Sequence, residues 1–526
     1  MNRGTQVVIC RVCSEGAGLL DVDKLARVAS DAPGVCSTVV VERACNKKTV
    51  LEIVDDAMAK EADRLLVAPC SKKEISPALF QTYAKKAKMN EFLMEAVDII
   101  GEVTLPHRDD PTRVQPKAEA KLRSAIVRIN MLEPLQRTEE RMRTSNVVVI
   151  GAGAAGIEAA SVASAFGLHT VIIEKSEKKI DAPGVVMPKS RLISAKGHAG
   201  NYILTIEVGE KRETLECAAI VVASGGDWRE AKGPIVDELQ VAKPLHHLEQ
   251  EIGEGRLPGG AIIILDTPDP KGIRTPAQDF MWEEALHCAT HIRRKSPTTE
   301  VYLVFQEMRA MGLAEFDYKE ASELGVKFIR YDSKKPPKVD TKNGTRLIVT
   351  DMAQEETLSL AFDTLYYASV APNPDNAAIA VALRIPISSS GGIRRGSIQR
   401  GPVATPRPGI FVCGTAKFPK SREVARLEGK AAGLMAAQFA AAGKWEFGGS
   451  VAEVTSDKCS ACLTCVRTCP YEAPFIGIAG KAEIAIQMCQ GCGICAGICP
   501  SKAIELHNYT DDQLSAETAA YLGGDF

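Results

Sequence analysis

The chain has 526 residues, a formal net charge of -2 and 25% charged residues, a balance that gives no field to draw it to nucleic acid or to an anionic membrane. A single core stops growing at roughly 250–300 residues, so this length calls for several domains. Sixteen cysteines, with no export signal at the start and no run of roughly 20 apolar residues, point to a soluble cytoplasmic protein with no transmembrane segment, whose thiols hold metal or clusters rather than disulfides.

Residues 1–110 alternate apolar strands (QVVIC, TVVVE, RLLVAP) with helical segments (VDKLARVAS, KKTVLEIVDDAMAKEA), the pattern of an N-terminal α/β domain. Cys10 and Cys13 close the first strand, Cys45 follows the second and Cys70 ends the third. In a parallel sheet the strand C-termini share one edge, so these four thiols are candidate ligands of an iron–sulfur cluster. Buried free cysteines are equally common at strand ends, and on the residues alone the two readings stand level. Residues 111–145 are highly charged and helix-prone, which predicts a solvent-washed helical linker.

Residues 146–232 open with NVVVIGAGAAGIEAASVASAFGLHTVIIEK: a strand, then Gly151-x-Gly153-x-x-Gly156, an alanine-rich helix opened by Ala154 and Ala155, and a second strand ending at Glu174 and Lys175. Such glycines let the backbone turn tightly and approach a pyrophosphate at the helix N-terminus, and an acid at the position of Glu174 accepts from a ribose hydroxyl. The choice between FAD and NAD is open at this point. AAIVVASGGD (218–227), with Ser224 and Gly225 at its turn, resembles the return to the FAD domain in two-dinucleotide flavoproteins.

Residues 233–370 read as a nicotinamide-domain-like insertion, although AIIILD (261–266) is followed by TPDPKGIRTP and no glycine fingerprint, which weakens direct NAD(P)H binding. In residues 371–449, ATPRPGIFVCGTAKFPK (404–420) resembles the final strand of the FAD domain, with Gly414 and Thr415 beside the ribityl phosphate. The next helix aims its positive end at the isoalloxazine. These features favour FAD. Lys417 and Lys420 read as solvated loop lysines ahead of a role beside a reduced flavin, and Cys413 as a packed core thiol.

Residues 450–508 hold the one clear internal repeat. Cys459, Cys462, Cys465 and Cys469, each run closed by a proline, and Cys489, Cys492, Cys495 and Cys499 both follow C-x2-C-x2-C-x3-C-P. This is the two-cluster ferredoxin spacing, in which the fourth cysteine of each run ligates the other cluster. The expected sets are Cys459, Cys462, Cys465 and Cys499 for one [4Fe–4S] cluster, and Cys489, Cys492, Cys495 and Cys469 for the other. Residues 509–526 read as a polar tail.

The VxCxxC opening, RLLVAPCSKKE, GAGAAGIEAA, VYLVFQEMRAMGLAEFDYKEASELGVKFIRYD, PGIFVCGTAKFPK and the tandem cluster domain together resemble the A subunit of heterodisulfide reductase, along nearly the whole chain. The resemblance implies an α/β fold: a two-dinucleotide-binding, thioredoxin-reductase-like FAD core with an N-terminal α/β domain and a C-terminal α+β two-[4Fe–4S] ferredoxin domain. It implies an oxidoreductase subunit passing electrons between FAD and clusters within a larger anaerobic complex. Its partners would be heterodisulfide-reductase-like or hydrogenase- or dehydrogenase-linked subunits, ferredoxin, or a second copy of the flavin subunit. It raises Cys10, Cys13, Cys45 and Cys70 above an even standing as ligands. The inserted ferredoxin module of the larger family members is absent, which makes this a short form: electron bifurcation is the sharper reading and simple relay the safer one. The alternative is a stand-alone NAD(P)H:acceptor oxidoreductase with a fused ferredoxin domain.

Overall fold

The computed structural model describes residues 4–11, 19–68, 89–177, 179–227, 242–265, 277–312, 314–340, 345–368, 371–396 and 401–523. They fall into two compact units, residues 1–139 with 446–526 and residues 140–445.

The first unit begins with β1 (Gly4–Cys10), α1 (Val22–Ser30), β2 (Val35–Val41), α2 (Lys47–Ala59), β3 (Ala62–Ala68), β4 (Met94–Ala96) and α3 (Val114–Asn130). The sheet is parallel in the order β2-β1-β3-β4. Its runs of apolar residues suit strands covered on both faces. Val7, Ile9 and Leu66 pack with Leu25 of α1 and Leu122 of α3, whereas Val8, Cys10, Leu65 and Val67 pack with Ile53 of α2. The stretch expected as a solvent-washed linker is different in character: α3 buries Val114, Ala118, Leu122, Ile126 and Ile129 in this core. Its charges lie on the turns between those positions, so composition hid an apolar face of helical period.

The second unit repeats one plan. β5 (Val147–Ile150), α4 (Ala154–Ala165), β6 (Thr170–Ile173) and β7 (Val185–Met187) lead to an antiparallel meander of β8 (Ser190–His198), β9 (Asn201–Val208) and β10 (Lys211–Cys217) before β11 (Ala219–Val222) returns beside β5. Then β12 (Lys243–Pro244), β13 (Gly260–Ile264), α5 (Ala277–Lys295), β14 (Glu300–Phe305) and β15 (Lys327–Arg330) lead to a second meander, β16 (Lys338–Asp340), β17 (Arg346–Asp351) and β18 (Glu356–Ala361), and β19 (Thr364–Tyr367) returns beside β13. α6 (Asp375–Leu383), β20 (Ile410–Val412) and α7 (Arg422–Ala441) complete the first of these domains. The two parallel sheets run β20-β11-β5-β6-β7 and β12-β19-β13-β14-β15. This is a two-dinucleotide-binding α/β core, and the stretch between the second strand and the returning one is the first meander.

The first unit closes with β21 (Ala452–Val454), α8 (Thr464–Thr468), β22 (Pro474–Ile476), β23 (Ala482–Ile484), α9 (Ile494–Ile498), β24 (Ile504–Leu506) and α10 (Asp511–Leu522). β21 pairs with β24 and β22 with β23, both antiparallel. The expected polar tail is a helix: Thr510 and Gln513 form a capping box at its start, and Gly523 at φ 86° ends it. α10 lies on α3, where Arg128 meets Glu95 (3.3 Å), Glu517 (3.2 Å) and the Tyr509 ring (4.6 Å), and Ser124 Oγ donates to Glu517 O at 2.9 Å. Among the described residues no helix is long and apolar enough to cross a membrane.

Candidate functional site

The glycine fingerprint forms the turn from β5 into α4. Gly151 stands at φ 105°, and a Cβ there would come within 2.3 Å of Ala223 O, so this tight turn admits only glycine. A Cβ on Gly156 would meet Gly151 O at 1.9 Å, whereas one on Gly153 would meet nothing within 4 Å. Gly151 and Gly156 are therefore fixed by packing, and Gly153 by the open cradle in front of the helix. The Glu174 carboxylate accepts the Ala152 N–H and the Ser176 N–H, both at 2.8 Å. That fixes its orientation and leaves lone pairs for a ribose hydroxyl. Ala154 and Ala155 open α4; Lys175 pairs instead with Asp375 at 2.8 Å on the surface.

Ser224 and Gly225 follow β11. Ser224 Oγ donates to Asn376 Oδ1 at 2.6 Å, and Asn373 Nδ2 donates to Ser224 O at 2.6 Å. Asn376 also donates to Ala416 O at 3.3 Å, so one buried amide ties this turn to the loop holding Gly414 and Thr415. α7 crosses α4 at close range: a Cβ on Gly429 would stand 2.2 Å from Ala155 O, and one on Gly433 2.4 Å from Ala159 O. Lys417 and Lys420, expected in solvent, are buried, and both pair with Glu428 of α7. Cys413 is buried. Asn373, Asn376 and Glu428 escaped the sequence reading: the two asparagines contact a serine 149 and 152 residues away, and Glu428 meets its lysines across a loop-to-helix turn that no local pattern marks.

The cysteine repeat is also a backbone repeat. Ala461, Leu463 and Glu472 in the first run and Gly491, Gly493 and Lys502 in the second all have positive φ, at matching positions. Cys459, Cys462, Cys465 and Cys499 line one depression, and Cys469, Cys489, Cys492 and Cys495 line another. Burial pushes the Cys495 thiol up to about 11, and the neighbouring Cys489, Cys469 and Cys492 add to it. Such thiols become thiolates only against strong positive charge, as iron supplies. Ala461 N–H lies 3.5 Å from Cys459 Sγ, and Ala503 N–H lies 3.3 Å from Cys499 Sγ, a donor that favours the Cys499 thiolate. Among the described residues no three His, Cys, Asp or Glu side chains converge on the position of a single metal ion.

In the N-terminal sheet, Cys10 pairs in register with Val41, so Cys45 lies just beyond the same edge. Cys10 is buried with its thiol donating to Glu42 O at 3.3 Å, and Cys45 is exposed. Cys13 and Cys70 lie outside the described residues.

Residues 146–247 match the family model described as glucose inhibited division protein A. The first of two iron-sulfur A subunits of CoB–CoM heterodisulfide reductase from Methanopyrus kandleri is 26% identical over 654 aligned positions, covering 97% of this chain and 97% of that protein. The A subunit of the H(2):CoB-CoM heterodisulfide,ferredoxin reductase of Methanothermobacter marburgensis is 24% identical over 648 positions, covering 98% and 97%. The first alignment is longer than the 526 residues present here, so that relative carries stretches this chain lacks. Thioredoxin reductase of T. acidophilum superposes on 56% of this chain and 98% of its own, with 13% identity and a TM-score of 0.39. Over nearly its whole length the chain is similar to heterodisulfide reductase A subunits.

Proposed function

We propose, from this kinship and from the site geometry, that the chain is an oxidoreductase subunit holding FAD in the Gly151–Gly156 cradle and [4Fe–4S] clusters in the two cysteine sets, with a further cluster at Cys10, Cys13, Cys45 and Cys70. The observation that carries the reading is the crossed grouping: Cys469 lines a depression with the second run and Cys499 one with the first. A two-cluster ferredoxin requires that exchange, and independent zinc hooks do not.

A bound flavin would supply exchange between two-electron and one-electron chemistry. The residues of the chain hold and orient. The N-terminus of α4 offers N–H groups to a pyrophosphate, Gly153 leaves the room for it, Glu174 accepts from the ribose, and the loop of Gly414 and Thr415 closes against Ala155. The eight cysteines of the repeat grip the clusters, and the backbone amides beside them stabilise thiolate. The subunit works inside a larger anaerobic complex with heterodisulfide-reductase-like or hydrogenase- or dehydrogenase-linked partners, and relay is its minimum function. Bifurcation would extend the same layout.

The test is analysis of the anaerobically purified chain, for which about twelve irons and one FAD are expected if all three sites hold cubanes. Zinc in place of iron, or protein without flavin, would sink the proposal. The second sheet, built on the plan of the first, favours one rival: a domain of that shape is where an NAD(P)H oxidoreductase binds its nucleotide. Rapid bleaching of the isolated chain by NADH would establish that rival.

A further inference from the structure

The loop after β20 and the facing turn of α7 keep three charged groups out of water. Lys417 Nζ lies 2.6 Å from Glu428 Oε1 and donates to Pro402 O at 2.8 Å. Lys420 Nζ meets Glu428 Oε2, which also accepts the Gly414 N–H at 3.0 Å. Lys417 and Lys420 are 7% and 3% exposed. Gly414 in turn packs on Ala155, so that its Cβ would come within 2.8 Å of the Ala155 methyl. The cluster thus belongs to the wall of the dinucleotide cradle.

Among the described residues, two ammoniums against one carboxylate leave a net charge of +1. A buried charge without an ionic partner is costly, and a positive site with one carboxylate too few favours a second anion. The Phe418 ring, 4.0 Å from Lys420 Nζ, offsets only part of that cost. Cys413 is no candidate anion, because burial pushes its thiol up to about 12.

We infer, resting on the flavin reading above, that this cluster is built one anion short, and that the missing partner is the negative charge a bound flavin gains on reduction, which Lys420 answers by holding a proton. Two electrons from a reductant and one proton from water leave the ring with a single negative charge, so the charges on the two sides then balance. Burial lowers the Lys420 ammonium to about 8, Glu428 opposes that fall and Lys417 adds to it. Among the described residues, Glu428 from α7, Lys417 from the same loop and Cys413 from the end of β20 are the titratable groups that face it. A negative ring would raise the ammonium again. Above pH of about 8 reduction would therefore draw one further proton, and the flavin potential would fall with pH more steeply by about 30 mV per unit, the tenfold interval of a two-electron couple.

The experiment is a spectroelectrochemical titration of flavin with dithionite in the anaerobic full-length protein between pH 6 and 10. The wild type should show the steeper slope above pH 8, and Lys420→Met should lose it, with the reduced-to-oxidised ratio at pH 7 and fixed potential falling at least tenfold. Lys420→Arg should restore that ratio without the pH break. A straight wild-type line through pH 8 overturns the inference whether or not the Lys420→Met protein folds. So does an unchanged ratio in a Lys420→Met protein that keeps its FAD. Wild-type protein that carries no FAD overturns the flavin reading itself, a separate failure.

Discussion

Cys469, the last cysteine of the first run, shares a depression with Cys495 of the second. Function should follow that exchange and not sequence proximity. Cys469→Ser and Cys492→Ser should abolish the same reduced-state EPR signal, and Cys499→Ser and Cys462→Ser the other. Loss of one common signal in Cys469→Ser and Cys462→Ser would show that each run keeps its own cluster.

Gly153 and Gly156 should respond differently to alanine. At Gly156 the new Cβ would collide with the Gly151 carbonyl, 1.9 Å away, and the turn must move at a cost of about 3 kcal/mol. At Gly153 nothing lies within 4 Å, so the fold should survive while FAD retention falls by tenfold or more. Melting temperature and flavin content, read together, separate the two. A Gly153→Ala protein that keeps its full flavin would mean that the cradle does not face the cofactor.

Arg128 is 8% exposed between Glu95, Glu517, Asn508 O and the Tyr509 ring. Arg128→Ala leaves Glu95, with its side chain 15% exposed, without this partner. Breaking a buried pair from one side costs about 3 kcal/mol. Hydrogen exchange should rise first in residues 511–522, the helix that leans on this contact. Unchanged protection there would show that α10 is held by its apolar contacts alone.

How much of this was legible in the sequence depended on range. The Gly151–Gly156 turn and the two cysteine runs were readable because their chemistry is set by neighbours a few residues apart. The burial of α3 was not, since KAEAKLRSAIVRIN shows its charges more loudly than its apolar period. The meander β8–β10 went unread because charged residues crowd its strands (SRLISAKGH, KRETLEC) and mask their period-2 pattern. Lys417 and Lys420 looked like loop lysines because the carboxylate that draws them inward, Glu428, lies on the next helix. Asn376 sits 152 residues from the serine it holds, a distance over which no local pattern speaks.

The two cysteine loops share one backbone path but not one set of residues. Ala461 and Leu463 adopt left-handed conformations that Gly491 and Gly493 adopt freely. Each such non-glycine residue carries about 1–2 kcal/mol of strain, more than the roughly 0.5–1 kcal/mol of extra chain entropy a glycine regains on release. Glu472 and Lys502 match one another, so a cluster gripped by the first loop holds a tighter-wound spring than one gripped by the second, by the two positions at which the loops differ. Under a chelator or oxygen the pair should come apart in order, the Cys459 side first, leaving for a time a protein with half its ferredoxin-type wiring intact.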